Sequence, residues 1–488
     1  MNLRLPQAVP RLKIQHVAFI TVFLCFILVN ADKIHDPDMW WHLKVGGYIV
    51  ENREVPQADF YSFSNEGHHW IAHEWGSEVI YYLSYKLWKF RGLFMVNLIF
   101  LSLTYYMLGR LIHTRANRDL SVTTVVIIVC TVFSSIFWVF RPHLMAYLFF
   151  IGYIYILEEY VRGRNLLWLL PLIMVLWVNM HGSFIMGIVL IGIYLLAGLV
   201  NINFGRLLSV KWEKNRLKTL ILVLVLAAAA VVINPNTVKM YYYPFFTMNS
   251  KAIVENITEW ASPDFHNPVF KAFLAYLFLV YTTMMISRKP VKLHDTLLLG
   301  LFTYLAMFGA RNIALFMFIT GPVWAEHLSG FLVPARPQKQ VTALNWLILL
   351  AALTYGIYAF PAQMTIDDKV NRERFPDKAV QYMKDHNLNG TIFNNYNWGG
   401  YLIWTRYPAN KPFIDGRSDI YEDRVLPDYM DITKLRPGAY ELLKKYNPDY
   451  ILMPPEAPIN HLLMAKGDWQ IVYSDKVALL YGKKKQGP

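Results

Sequence analysis

His35-Asp36-Pro37-Asp38-Met39-Trp40-Trp41-His42 follows directly on an apolar run at 14–30, and this junction decides how the chain is read. Two carboxylates and two indoles stand where a segment long enough to cross a bilayer ends. Trp settles at the membrane interface, and an ionisable group at that depth is costly unless partnered, so it marks a functional site by default. The rest of the chain fits the same setting. Of its 488 residues, 55% are hydrophobic and 17% charged, against about 25% charged in an average soluble domain. Mean hydropathy is +0.29. Disorder and a disulfide-stapled miniature are excluded, and an integral membrane protein is the class that remains. The formal charge of +13 does not point to nucleic acid, because the basic residues sit in short runs between apolar segments. Cys25 and Cys130 both lie inside apolar runs, so no disulfide framework is expected.

Eleven apolar segments approach spanning length: 14–30, 92–109, 120–140, 143–158, 165–180, 184–204, 218–233, 270–286, 295–309, 312–328 and 341–360. Every second loop is basic, from Arg4, Arg11 and Lys13 through Arg110, Arg115 and Arg118 to Arg336 and Lys339. The loops between carry little beyond Arg141 and Arg311. The positive-inside rule then puts the N-terminus in the cytoplasm and the C-terminus outside. The first run also fits a signal peptide ending at Val29-Asn30-Ala31, which leaves the remaining topology unchanged. The expected fold is an α-helical polytopic membrane protein of about eleven transmembrane helices with a small C-terminal α/β extracytoplasmic domain. Residues 1–360 form the membrane domain, with outer loops at 31–91 and 234–269, and 361–488 form the second. Amphipathic helical patterns appear at Trp40-Trp41-His42-Leu43 and from Glu74 to Trp88. Strand-like runs appear at 391–393, 400–404, 412–414, 450–453, 470–473 and 477–481, with a helix near 438–446.

The polar residues of the outer loops collect on one face. They are Asp36 and Asp38, His42, His73-Glu74, Arg141-Pro142-His143, His181 and Arg311. Carboxylates beside a membrane serve as general base or divalent-cation ligands. Arg and His on neighbouring helix ends hold phosphate. A base, a phosphate clamp and an apolar surround suit a lipid phosphate or pyrophosphate as substrate. The blander readings are an N-cap for the Asp pair and snorkelling anchors or ion-pair partners for Arg141 and Arg311. The histidines of the first loop show no recognised metal spacing. Tyr241-Tyr242-Tyr243 reads as interfacial packing. Asn394–Gly400 and Asp415-Gly416-Arg417-Ser418-Asp419 read as turns or sugar-touching loops, with no catalytic role expected.

The stretches Asp36-Pro-Asp-Met-Trp-Trp-His-Leu, His73-Glu-Trp-Gly-Ser-Glu, Asn395-Tyr-Asn-Trp-Gly-Gly-Tyr-Leu-Ile-Trp and Lys411-Pro-Phe-Ile-Asp-Gly-Arg-Ser-Asp-Ile-Tyr are similar to those of bacterial membrane proteins described as glycosyltransferases. Together with an Asp pair after the first span and a C-terminal outer domain, the chain resembles the GT-C superfamily over essentially its whole length. The resemblance implies a transferase of a bacterial inner membrane, with the C-terminal domain in the periplasm. It would move a sugar from a polyprenyl-phosphate donor to a glycan, lipid or protein acceptor by inverting transfer. Asp36 or Asp38 would be the base or a ligand of Mg²⁺ or Mn²⁺, with metal-free relatives also known. Arg141 and Arg311, supported by His143 and His181, would hold the donor phosphate, with His42, His73 and Glu74 in support. Two other readings fit the same face: an oligosaccharide ligase or polymerase acting on a polyprenyl pyrophosphate, and a transporter or flippase of lipid-linked sugars. Transport predicts ionisable groups at mid-membrane, whereas the charges here gather at segment ends.

Overall fold

The computed structural model describes residues 36–257, 259–331, 350 and 374–484. The segments read as spans at 14–30 and 341–360 lie outside them, save Leu350, as does His35. Among the described residues five helices are long and apolar enough to cross a membrane: Trp75–Arg115, Leu120–Phe137, His143–Val161, Gly182–Leu199 and Pro268–Ile286. Shorter apolar helices run over Leu169–Val178 and Leu293–Phe308, and Lys214–Ala230 and Ile313–Leu328 complete the bundle.

The stretch from Glu74 and the segment at 92–109 belong to one helical element that is broken at Trp88 and Lys89. Lys89 has φ 51, outside the helical region. The part before the break packs on a first helix, Met39–Asn52, as the amphipathic patterns anticipate. The part after it crosses the bundle to Arg115.

At that far end Arg115 is the centre of a buried ion cluster. Its guanidinium donates to Asp295 at 2.7 and 3.0 Å, to Glu158 at 2.6 Å and to Glu326 at 3.0 Å. Tyr194 donates to Glu158 at 2.7 Å, and Lys292 to Glu326 at 3.0 Å. The cluster ties five helices together, because its members come from 75–115, 143–161, 185–199, 293–308 and 313–328.

A small sheet joins β1 (Ile202–Phe204), β2 (Leu207–Ser209) and β3 (Val291–Lys292) at the same end. The C-terminal region forms a five-stranded sheet from β4 (Gly390–Asn394), β5 (Asn410–Pro412), β6 (Tyr450–Met453), β7 (Trp469–Ser474) and β8 (Leu479–Lys483). The spatial order is β5-β4-β6-β8-β7, with β4 parallel to both β5 and β6 and the other two pairings antiparallel.

The run at 400–404, read as a strand, is instead the helix Gly399–Arg406. Parallel neighbours cannot be joined by a hairpin, so the chain between β4 and β5 must cross over, and a helix supplies the crossover. That helix packs on Met39–Asn52, where Trp40, Phe375 and Tyr401 form one aromatic cluster with ring centroids 5.0–5.7 Å apart. The helix Ser418–Thr433, which the sequence reading passed over, covers the sheet.

Arg115→Ala is expected to destabilise the protein by about 3–5 kcal/mol, since it removes the cation that Asp295 and Glu158 share in the buried cluster, while Glu326 keeps Lys292. A thermal unfolding series in detergent, compared with an Ala substitution of the exposed Arg436, measures it.

Candidate functional site

At the Asp36 end of the bundle a cavity of about 780 Å³ opens between the helices and the C-terminal domain. Its centre is Arg141, on the corner before helix His143–Val161. The Nε donates to Asp36 Oδ2 at 2.8 Å, one terminal nitrogen lies 3.1 Å from Asp38 Oδ2, and the other donates to Glu259 Oε1 at 2.6 Å. The corner is fixed by Tyr81, whose hydroxyl lies 2.9 Å from the Arg141 carbonyl and 2.7 Å from the Asn97 side-chain amide.

Asp36 is buried, and both its oxygens are engaged, Oδ2 by Arg141 and Oδ1 by the Asp38 backbone N–H at 2.9 Å. Asp38 lines the cavity. Burial, opposed by Arg141 and reinforced by the charges of Asp36 and Glu259, pushes the Asp38 carboxyl up to about 8. Burial acts on Glu259 in the same sense, but Arg141 and Arg311 outweigh it and hold that carboxyl down at about 2.

A second group surrounds Glu74. His181 Nε2 lies 3.3 Å away, His73 Nε2 3.6 Å and His42 Nε2 3.9 Å. This convergence is built by docking. Trp75 donates to Asn179 at 2.8 Å and Ser77 to the Met180 carbonyl at 2.8 Å, which seats the 179–181 loop on the helix start. Burial pushes His42 and His181 down to about 3, so both are neutral at pH 7. Burial also opposes the charge on Glu74, but the charge and hydrogen bond of His73 hold that carboxyl well below its usual range. The Tyr243 hydroxyl bridges His73 Nε2 and Asp419 Oδ2, 3.2 Å from each.

All the predicted residues except Asp36, which lies behind Arg141, therefore line one cavity, but they are committed differently. Arg141 is taken up by three acids, the ion-pair alternative raised above. His143 Nε2 is bonded to the Phe137 carbonyl at 2.8 Å. His181 Nδ1 faces Ser183 at 2.8 Å and its other nitrogen faces Glu74. Arg311 differs: its guanidinium lies 4.4 Å over the Trp260 ring, and among the described residues no ion pair or hydrogen bond of that side chain is recorded. His68 and His69 stand away from this group, with His69 facing Lys239.

Glu259, Trp260, Tyr243, Tyr396 and Asp419 line the cavity and were not among the candidates. An acid and a Trp in an aromatic loop gave one signal; Tyr396 and Asp419 lay in loops read as turns or as sugar-touching, with no catalytic role expected. The place among these acids that a cation would take is held by the Arg141 guanidinium, which contacts all three, so Mg²⁺ or Mn²⁺ would have to displace it. Among the described residues the one group with metal-like spacing is Glu158, His294 and Asp295, which lies in the Arg115 cluster.

No family model matches the chain, and no curated protein matches it. Solved structures do. The oligosaccharyltransferase AglB of Archaeoglobus fulgidus, in complex with an inhibitory peptide and a dolichol-phosphate, aligns at a TM-score of 0.52 and 11% identity, over 96% of this chain and 74% of that one. The Archaeoglobus fulgidus oligosaccharyltransferase tethered to an acceptor peptide containing the NVT sequon gives 0.52 and 13%, over 97% and 74%. ArnT from Cupriavidus metallidurans, bound to undecaprenyl phosphate, gives 0.47 and 12%, over 96% and 98%. The likeness is one of fold, shared with the Archaeoglobus fulgidus oligosaccharyltransferase, and it agrees with the fold that the sequence resemblance implied.

The Glu259 carboxyl is held below its unfolded value, so its contribution to stability is present above about pH 4.5 and is lost as pH falls through about 2. Glu259→Gln should therefore show a smaller drop in melting temperature between pH 6 and pH 3 than wild type, measured by differential scanning fluorimetry in detergent.

Proposed function

We propose that this chain is a membrane glycosyltransferase that moves a sugar from a polyprenyl-phosphate donor to a glycan, lipid or protein acceptor at the outer face of a bacterial inner membrane. The observation that carries the reading is a single cavity lined by Asp38, by the uncommitted guanidinium of Arg311 and by apolar side chains such as Phe270, Leu305 and Phe308. The apolar wall suits an isoprenoid chain. Arg311 suits the phosphate that leaves with it, and Asp38 suits the acceptor hydroxyl.

Asp38 is the base in this reading, and Asp36 is a positioning residue. Asp38 faces the cavity with a carboxyl whose proton affinity lies close to working pH, where general-base catalysis is most effective. Asp36 spends both oxygens on Arg141 and on the turn itself. The acceptor O–H gives its proton to Asp38 as the oxygen attacks the anomeric carbon. The bond from that carbon to the phosphate oxygen breaks on the opposite face, which inverts the centre. The electron pair goes to the phosphate, whose growing charge Arg311 stabilises. No step is assigned to a metal.

Transfer from a polyprenyl pyrophosphate by an oligosaccharide ligase is the second reading, although the AglB neighbour itself is bound to a dolichol-phosphate. Among the described residues Arg311 is the one guanidinium at the cavity that no acid bonds, which suits a monophosphate better than the larger charge of a pyrophosphate.

Release of radiolabelled sugar from polyprenyl-phosphate donors, with purified protein in lipid and a membrane extract as acceptor, tests the proposal. Asp38→Asn should lower release by about 10²–10⁴-fold, and Asp36→Asn by less. Equal release from wild type and Asp38→Asn would sink the assignment. The rate with wild type should climb as pH rises through about 8, because the base form of Asp38 is then populated. Arg311→Ala should slow turnover by about 10²–10³-fold, with partial recovery in Arg311→Lys.

A further inference from the structure

The turn that carries the two acids is gripped from the C-terminal domain by two glycines. A Cβ on Gly400 would stand 2.6 Å from the Pro37 carbonyl oxygen and 3.2 Å from Trp41 Cδ1. A Cβ on Gly416 would stand 1.6 Å from Asp38 Oδ1, 2.6 Å from its Cγ and 3.1 Å from Trp41 Nε1. The Gly416 backbone therefore touches the carboxylate itself, and only a residue without a side chain fits there.

What holds Gly416 in place is its neighbour. Arg417 has a fully buried side chain. Its Nε and one terminal nitrogen donate to the two oxygens of Asp415 at 2.8 and 2.7 Å. The other terminal nitrogen donates to Asp59 Oδ1 at 2.9 Å. The guanidinium also lies 4.7 Å over Trp70 and 5.3 Å over Tyr61. Tyr421 donates to Asp415 at 2.5 Å, and the Tyr61 N–H to Asp59 at 3.0 Å. Asp59, Tyr61 and Trp70 belong to the first outer loop and Asp415 to the C-terminal domain, so Arg417 rivets the two together. Neither Asp59 nor Asp415 lines the cavity.

We propose that the 415–419 loop belongs to the reaction centre: Gly416, clamped by the buried Arg417, closes over the Asp38 carboxyl and orients it, so the site is complete only when the C-terminal domain is docked. Gly416, Arg417 and Asp59 are positioning residues, and their importance for turnover rests on the reading of Asp38 as the base. The clasp excludes water from one side of that carboxyl, and the desolvation of Asp38 described above is the expected consequence.

The test is dicyclohexylcarbodiimide labelling of the full chain in lipid vesicles. The reagent attacks protonated carboxyls in apolar surroundings, and the adduct is located by peptide mass spectrometry. Wild type should be labelled at Asp38, with the labelling lost as pH rises through about 8. In Gly416→Ala the added methyl displaces the carboxyl towards water, and the labelling midpoint should fall by about one pH unit, a tenfold loss of proton affinity. Arg417→Lys gives up the bidentate contact and should shift the midpoint the same way by less. Gly300→Ala, where nothing lies within 4 Å of the added methyl, should match wild type.

A wild-type midpoint in Gly416→Ala at an unchanged melting temperature, or no label on Asp38 in wild type, would overturn the proposal. In the sugar-release assay Gly416→Ala should lower kcat by about tenfold or more with the donor KM unchanged. A shifted midpoint in a protein that releases sugar from no donor would leave the clasp standing and remove the glycosyl-transfer reading.

Discussion

Three carboxylates cannot share a half-buried pocket unless a cation sits among them. Arg141 meets Asp36, Asp38 and Glu259 at 2.6–3.1 Å. At such distances the attraction of each acid to the guanidinium is worth a few kcal/mol even at the effective dielectric of a protein surface, which offsets the repulsion among the acids. The four residues come from the start of the described chain, from the corner before helix 143–161 and from the loop before helix 268–286. Their pairing therefore fixes where three otherwise separate segments meet. The cavity, the tilt of the Asp36-Pro37-Asp38 turn and the seat for the C-terminal domain all follow from that meeting.

Much of this was legible, and the reason is physical. An ionisable residue at the end of an apolar segment must find a partner, so Asp36, Asp38, Arg141, Arg311, His181 and the His73-Glu74 pair could be picked out before any contact was known. The amphipathic helices of the first outer loop and most strands of the last domain were legible for the same kind of reason, because burial imposes a period on the sequence. Which acid pairs with which base was not legible. Glu259 lies 118 positions from Arg141, and nothing in its own neighbourhood specifies that arginine. The helix at 399–406 escaped because a short apolar run is ambiguous until it is known that β4 and β5 run parallel.

The C-terminal domain shows how a turn motif conceals a positioning role. Asp-Gly is common turn chemistry, and by itself Asp415-Gly416 says nothing more. Here Asp415 serves a buried arginine and Gly416 serves a carboxylate 378 positions earlier. The first demand is met by side chains within the loop, the second by backbone proximity across two regions. Local sequence carries only the permissive half of such a constraint, the absence of a side chain, and not the surface that requires it.

The arginines of the molecule then separate by commitment. Arg115 and Arg417 have almost no exposure, and every acid near them is bonded. Arg417 borders the cavity, but its guanidinium is spent on Asp415 and Asp59, and Arg115 lies at the far end of the bundle. Arg141 faces the cavity but has spent its charge on three carboxylates. Arg311 faces the same cavity over Trp260 with its charge balanced only at longer range. A guanidinium held by an aromatic face keeps its donors pointed outward, and it is electrostatically unfinished until an anion arrives. Charge count alone would rank the four equally. The distinction that bears on function is which of them still has hydrogen bonds to give at the place where a leaving phosphate would stand.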